Sequence, residues 1–198
     1  CMKASLKAGK VVSLPSAVTI ADGTAVKTPG DIVFPYIQKN LDDIITVEDE
    51  ELIVNFLDVV ENHKMVVENS GLLTVAALKH LNCKDKRVVS ILSGGNMDII
   101  TMSSVVQHGL IERGRVFTVS VQLPDRPGEL VNVANVIAQL KGNVIRLEHN
   151  QFVSINRNAA VELKITLEAF GHEHKQQIVD ALKEKGYDPK LENPTSLY

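Results

Sequence analysis

The chain has 198 residues, 44% of them hydrophobic and 23% charged, with a formal net charge of −3. A length of this order holds one large or two small domains, each able to bury a core. The slight acidic balance gives no electrostatic footing for nucleic acid or an acidic membrane surface.

No apolar run reaches the roughly 20 residues of a membrane-spanning helix. The two cysteines, Cys1 and Cys83, make no disulfide framework and fit a reduced, cytoplasmic setting. No secretory leader is expected from Cys1-Met2-Lys3 onward; the lack of a first methionine fits either an incomplete start or a fragment, and the motifs below favour the fragment.

Residues 1–45 read as short apolar pieces broken at Lys7-Ala8-Gly9-Lys10 and Thr28-Pro29-Gly30-Asp31. Thr46 to Asp49 resembles a capping box with Thr46 as N-cap. Beyond it Leu52, Ile53, Phe56, Leu57 and Val60 form the stripe of an amphipathic helix. Ser70–Leu81 is predicted as a second helix, nearly apolar and therefore buried. Arg87–Leu92 (RVVSIL) has the pattern of a buried parallel strand, so this half is expected to be α/β.

The second half has a different rhythm. Phe117–Leu123 alternates as a strand, and Gly128–Lys141 has Leu130, Val133, Ala134, Ile137 and Leu140 on one helical face. Asn143–His149 and Ala159–Leu167 alternate again, His172–Lys185 is helical up to Gly186, and Tyr187 begins a last short strand. The order βαββαβ is the ferredoxin-like arrangement. The boundary is placed in the polar, glycine-punctuated stretch His108–Arg115, giving domains 1–112 and 113–198.

Ser93-Gly94-Gly95-Asn96 follows the predicted strand directly. Ligands of parallel sheets bind beyond the C-terminal strand ends. Two residues without Cβ let backbone approach a flat ring, and Ser93 offers a hydroxyl. A tight strand-to-helix turn is the alternative reading of the same residues.

ILSGGNMD resembles the motif near the end of the catalytic domain in threonine dehydratases and the related serine racemases. Thr19–Val26 (TIADGTAV) is similar to that family's ADG-x-A-V stretch, Leu41–Leu52 to its DDI-x-x-V segment, and His63–Leu78 to the start of its E-G-A-G-A helix. Asn69-Ser70-Gly71 departs from Gly-Ala-Gly after Glu68. The resemblance implies the C-terminal part of a pyridoxal-phosphate (PLP) fold-type II catalytic domain. Its activity would be β-elimination of threonine, or of serine, to a 2-oxo acid and ammonia. A serine dehydratase or racemase of the same fold is the near alternative.

By that resemblance Ser93 meets the cofactor's pyridine nitrogen, Gly94, Gly95 and Asn96 flank it, and Glu68 and Gly23 line the pocket. An alcohol cannot protonate a pyridine, so the ring is a weaker electron sink and elimination competes better with transamination. Glu68 also reads as a carboxylate at a helix N-terminus. Lys64 and Asn96 match positions that contact nucleotide in some relatives, with a surface lysine and a turn-capping asparagine as the plainer reading.

The family's Schiff-base lysine and glycine-rich phosphate loop lie upstream. The 198 residues alone are therefore expected to be inactive and not to retain PLP, and no metal ligand is assigned.

Leu123–Leu130 (LPDRPGEL) resembles the first turn of ACT domains, which bind amino acids or other small metabolites. Asp125, Gly128 and Asn143 are then the expected effector contacts, with free N–H groups at a helix start to receive a carboxylate. The resemblance implies a homo-oligomer with ACT-mediated dimers. A non-catalytic amino-acid sensor is the alternative from another class. His172 and His174 diverge on a helix and read as a solvated pair, and Cys83 reads as structural.

Overall fold

The computed structural model describes residues 1–150 and 161–192. The chain divides into two compact units, Cys1–Val106 and Gln107–Tyr198.

In the first unit the helices are α1 (Met2–Ala8), α2 (Phe34–Asn40), α3 (Asp49–Asp58) and α4 (Leu73–Ala76). α5 (Ile99–Glu112) carries the chain across the division between the units. The core gathers Leu52 and Phe56 of α3, Val59, Val67, Leu72, Ala76 and Val105, with Ile53 and Val60 packed alongside. That is the stripe expected for α3, which continues past Asp58 into a wider turn over Val59–His63.

The cap of α3 differs from the expectation. Glu48, not Thr46, is the N-cap, and the box closes onto Glu51. Asp49 is drawn away because its carboxylate accepts from Thr19 Oγ1 at 2.5 Å and from Ile20 N at 3.0 Å. A tertiary contact has taken the acid that local pattern assigned to the cap.

Glu51 also meets Lys79 and, at 3.0 Å, His80 Nε2. The Lys79 and His80 hydrogen bonds hold its carboxyl down at about 2, below the usual carboxylate range. A lowered folded-state value stabilises the fold above the ordinary carboxylate range, and that contribution is lost as pH falls toward about 2. Acid should therefore open the junction of α3 with residues 77–80, read as faster amide exchange there. Glu51→Gln should already be loose at neutral pH and show no such acid step.

Two further expectations fail here. Ser70–Leu81 is not one helix: Asn69–Leu72 and Ala77–His80 are 3₁₀ turns flanking a single α-helical stretch, α4. Only its inner positions, Gly71, Leu72 and Ala76, are fully buried. Arg87–Leu92 forms no strand; Val89 is 88% exposed and Ile91 71%. A strand needs a neighbour to satisfy its backbone groups, and the described residues of this unit contain no strand at all.

In the second unit β1 (Val116–Leu123), α6 (Glu129–Gln139), β2 (Asn143–Asn150), β3 (Val161–Glu168), α7 (His172–Glu184) and β4 (Lys190–Glu192) follow the predicted βαββαβ order. The sheet is antiparallel in the order β2-β3-β1-β4. Alternation places Phe117, Val119, Val121 and Leu123 of β1 and Leu163, Ile165 and Leu167 of β3 on one face. They pack against Val133, Val136 and Ile137 of α6 and Ile178, Val179 and Leu182 of α7. Thr118 and Thr166 share a 2.9 Å hydrogen bond on the opposite face.

The α6 stripe is turned toward Val136, leaving Leu130 37% exposed. Tyr187 stops short of β4 and packs at the rim of the core. The expected linker His108–Arg115 is helical as far as Glu112. Ala159 and Ala160, expected to open β3, lie outside the described residues.

Candidate functional site

The predicted pocket residues of the first unit converge at a junction of two loops. Glu68 N donates to Gly94 O at 3.3 Å, tying the segment before α4 to Ser93–Asn96. A Cβ on Gly71 would lie 1.9 Å from the Ser93 carbonyl oxygen. Gly94 has φ +80°, and a Cβ there would lie 2.2 Å from the Glu68 carboxyl carbon. Each glycine is thus required by a close approach and, at Gly94, by a left-handed backbone as well. Gly95 is under no such demand, since its Cβ would meet Val66 O at an ordinary 3.6 Å.

Gly23 joins the same junction, with room for a Cβ only 2.8 Å from Ser70 Oγ and 3.6 Å from Glu68 Oε1. Ser93, Gly94, Gly95 and Asn96 are all exposed on this loop. Glu68, Gly23, Ser93, Gly94 and Gly95 are therefore brought together. Beside them opens a cleft of about 420 Å³ whose walls include Thr19, Asp22, Glu68, Asn69, Asn96 and Asp98. Lys64 is not in its lining: it is exposed, has φ +58° at the end of the wide turn, and donates to Glu61 O.

Pattern reading passed over three features of this site. Asn69 is 4% exposed, and its Nδ2 donates to Ile20 O at 3.0 Å, while its Oδ1 and the Ser70 hydroxyl are buried without hydrogen-bond partners. Asp98 caps α5, accepting from Thr101 N at 2.9 Å and from Thr101 Oγ1. Those bonds hold its carboxyl below the usual carboxylate range. The Asp-x-x-Thr spacing was a readable capping signal; the orphaned atoms had none.

The resemblance places the family's Schiff-base lysine in a short Ser-x-Lys context and assigns it to no lysine here, although Ser5-Leu6-Lys7 has that bare spacing. Ser5 is buried and its hydroxyl is engaged with Val12 N at 2.9 Å, while Lys7 is exposed in the last turn of α1. Neither residue lines the cleft.

In the second unit Asp125 and Gly128 line a recess of about 310 Å³ together with Arg126, Glu129 and His149. Gly128 has φ +98° at the N-cap of α6, and its missing Cβ faces open space. Gly128→Ala is therefore expected to cost about 1–2 kcal/mol through backbone strain alone, read as a lower thermal midpoint of this unit. A larger side chain at this position tests strain as well as access.

Asn143 is not brought to the recess. It pairs with Glu168, which in turn pairs with Val116, so it sits at the sheet end opposite Leu123. Its amide donates to Glu168 Oε2 at 3.2 Å. His149, further along the same strand, is the β2 residue that reaches the loop. His172 is exposed, as expected, whereas His174 is half-buried, and both rings hydrogen-bond to backbone. His172 Nε2 donates to Glu112 O at 2.8 Å, and His174 bridges Phe170 N at 3.0 Å and Leu140 O at 2.6 Å. Cys83 is half-buried with Sγ 3.9 Å from Leu78 O, a structural setting.

Residues 1–94 match the family model described as pyridoxal-phosphate dependent enzyme. The L-threonine ammonia-lyase of Geobacter sulfurreducens is 38% identical over 185 residues, covering 92% of this chain and 46% of that protein. The L-threonine ammonia-lyase of Thermotoga maritima is 33% identical over 191 residues, covering 96% and 48%. The L-threonine dehydratase biosynthetic IlvA of Escherichia coli is 31% identical over 191 residues, covering 94% and 36%.

The chain spans about half the length or less of these relatives. Similarity to them runs through both units, whereas the pyridoxal-phosphate family model ends at residue 94.

Proposed function

We propose that the protein acts as a pyridoxal-phosphate-dependent threonine ammonia-lyase, with residues 1–112 contributing one side of the cofactor and substrate pocket. The observation that carries this reading is the double close approach of Gly71 and Gly94, which locks Glu68 against an exposed Ser93–Asn96 loop. That arrangement suits a planar ring. Gly94 and Gly95 present backbone without side chains, and the exposed Ser93 hydroxyl can hydrogen-bond a ring nitrogen without protonating it.

Bound pyridoxal phosphate would supply an electron sink for the developing carbanion. Ser93 would orient the ring, Gly94 and Gly95 would admit its face, and Glu68 would place a carboxylate beside the reacting groups. Gly23 leaves room for the Ser70 hydroxyl, with which a side chain there would collide.

Ammonia and 2-oxobutanoate release from threonine by the protein purified from its own cells tests the activity. Serine racemisation or serine-only turnover would assign it to the alternative chemistry, and no turnover of either would leave a sensor without catalysis. The 198 residues alone are expected to release no ammonia and to lose added pyridoxal phosphate on dialysis. In the active protein, Ser93→Ala should weaken cofactor affinity or turnover by the equivalent of about 1–3 kcal/mol. Unchanged kinetics would remove Ser93 from the ring.

We also propose that residues 113–198 form an ACT domain that dimerises and senses an amino acid. The topology supports this, as does β2, an edge strand with every residue exposed, including Val144, Ile145 and Leu147. Asp125 and Gly128 would contact the effector. Asn143, at the far sheet end, could join them only from a second copy. Titration of isoleucine, valine, threonine and serine tests the sensing, and sedimentation tests the dimer.

A further inference from the structure

We propose that Asp22-Gly23 is a self-modification site: the Gly23 amide nitrogen closes on the Asp22 carboxyl to a succinimide, which water opens to isoaspartate, loosening the junction with Ser70 and Glu68. It is the one Asp-Gly step in the 198 residues, and no Asn-Gly step occurs. A residue without Cβ after the acid removes the clash that otherwise hinders its nitrogen from turning back on the preceding side chain.

The dipeptide alone would describe a common weak point, and the geometry adds to it. Asp22, Gly23 and Thr24 are all exposed, on a three-residue 3₁₀ turn. Gly23 N donates to Asp22 Oδ1 at 2.8 Å, so the nucleophile already touches the group that carries the electrophilic carbon. The backbone bonds of the turn run from Thr24 N to Ala21 O and from Ala25 N to Asp22 O, and neither engages Gly23 N. Two bonds at an exposed turn open at little cost, which frees the nitrogen to swing onto the carboxyl carbon.

Asp43 supplies an internal comparison. Ile44 N donates to its Oδ1 at 2.7 Å, the same contact with a β-branched residue in second place, and Asp43 is exposed as well. The carboxylates of Asp49 and Asp98 are instead tied into hydrogen bonds with Thr19, Ile20 and Thr101.

The reaction balances with water alone. The bond from Gly23 N to Asp22 Cγ forms, the carboxyl C–OH bond breaks, and the amide proton leaves with that hydroxyl as water. Water then adds at the α-carbonyl of Asp22 and breaks its bond to Gly23 N, so the main chain runs on through Cβ and Cγ. Addition at Cγ instead restores aspartate.

Isoaspartate lengthens the main chain by one atom just before Gly23, where even a Cβ would lie 2.8 Å from Ser70 Oγ. It also shortens the acidic group that Asp22 contributes to the cleft wall. With so little slack, the contact of Gly23 with Ser70 and Glu68 gives way as the product accumulates. None of this rests on the pyridoxal-phosphate reading.

The test ages the 198-residue chain in warm, mildly acidic H₂¹⁸O, where acid supplies the proton that lets the hydroxyl leave. Tryptic peptides are then fragmented by electron transfer, which distinguishes isoaspartate from aspartate. Peptide 11–27 is expected to take up ¹⁸O and to yield a second component carrying isoaspartate, while peptide 40–64, which holds Asp43, does neither. Asp22→Glu, whose ring would be larger, should lose the product. Amide exchange at Glu68 should be faster in the modified fraction. No isoaspartate at residue 22, or isoaspartate only after unfolding in urea, overturns the site. So does equal conversion at Asp43, since Ile44 lacks the feature on which the proposal depends. Unchanged Glu68 exchange in the modified fraction overturns the loosening.

Discussion

Truncating Phe56 to alanine is expected to destabilise the first unit by about 3–5 kcal/mol, the cost of losing a buried aromatic ring and leaving its cavity. Phe56 is 1% exposed and lies in the cluster with Leu52, Val59, Leu72 and Ala76. Little can move in to fill the space. Leu52 is a turn back on the same helix, and Leu72 and Ala76 belong to a segment fixed by the Gly71 contact with Ser93. The core of the second unit shares no residue with this cluster, so its own unfolding should be untouched. Hydrogen exchange during a urea series separates the two: the midpoint for residues 49–60 should fall while that for β1 and β3 stays. A common shift of both would mean that the units unfold as one.

How much of this was legible in the sequence depends on which forces act locally. The α3 stripe and the βαββαβ order were readable because each element buries one face of a regular period, and the packed residues are those the period selects. Leu130 and Val136 show the limit of that reading: two helical faces fit the pattern, and only the position of the sheet decides between them.

Arg87–Leu92 shows another limit. A β-branched run specifies extended backbone but not the partner strand that would make it part of a sheet. The α3 cap failed for a related reason, because Asp49 is claimed by Thr19 and Ile20 from far away in the chain. The site divides in the same way. Motif resemblance singled out Glu68, Gly23, Ser93–Asn96 and Lys64, and the fold brings together all of them except Lys64. Asn143 and the loop at Asp125–Gly128 could not be separated on paper, since strand register decides which end of β2 faces the loop. Asn69 was visible only as a departure from Gly-Ala-Gly. Its unpartnered oxygen is a three-dimensional fact.

The sharpest prediction concerns Gly71, the residue of that segment that does not depart from the family pattern. Gly71→Ala would put a methyl group 1.9 Å from the Ser93 carbonyl oxygen and 2.8 Å from a Val67 methyl. A flexible side-chain tip could swing away, but here the nearer neighbour is backbone, in the Ser93–Asn96 loop. Relief therefore requires moving Ser93–Gly95 away from Glu68, breaking the Glu68 N to Gly94 O bond. The overpacking should cost about 1–3 kcal/mol and displace Ser93 from its proposed place at the ring at the same time. Gly95→Ala is the matched control, since its methyl would sit at an ordinary 3.6 Å from Val66 O. Amide exchange at Glu68 should accelerate in Gly71→Ala and stay unchanged in Gly95→Ala, and cofactor affinity of the active protein should follow the same order. If Gly71→Ala exchanges like the parent chain, the two loops are not locked and Glu68 is not held at the Ser93–Asn96 loop.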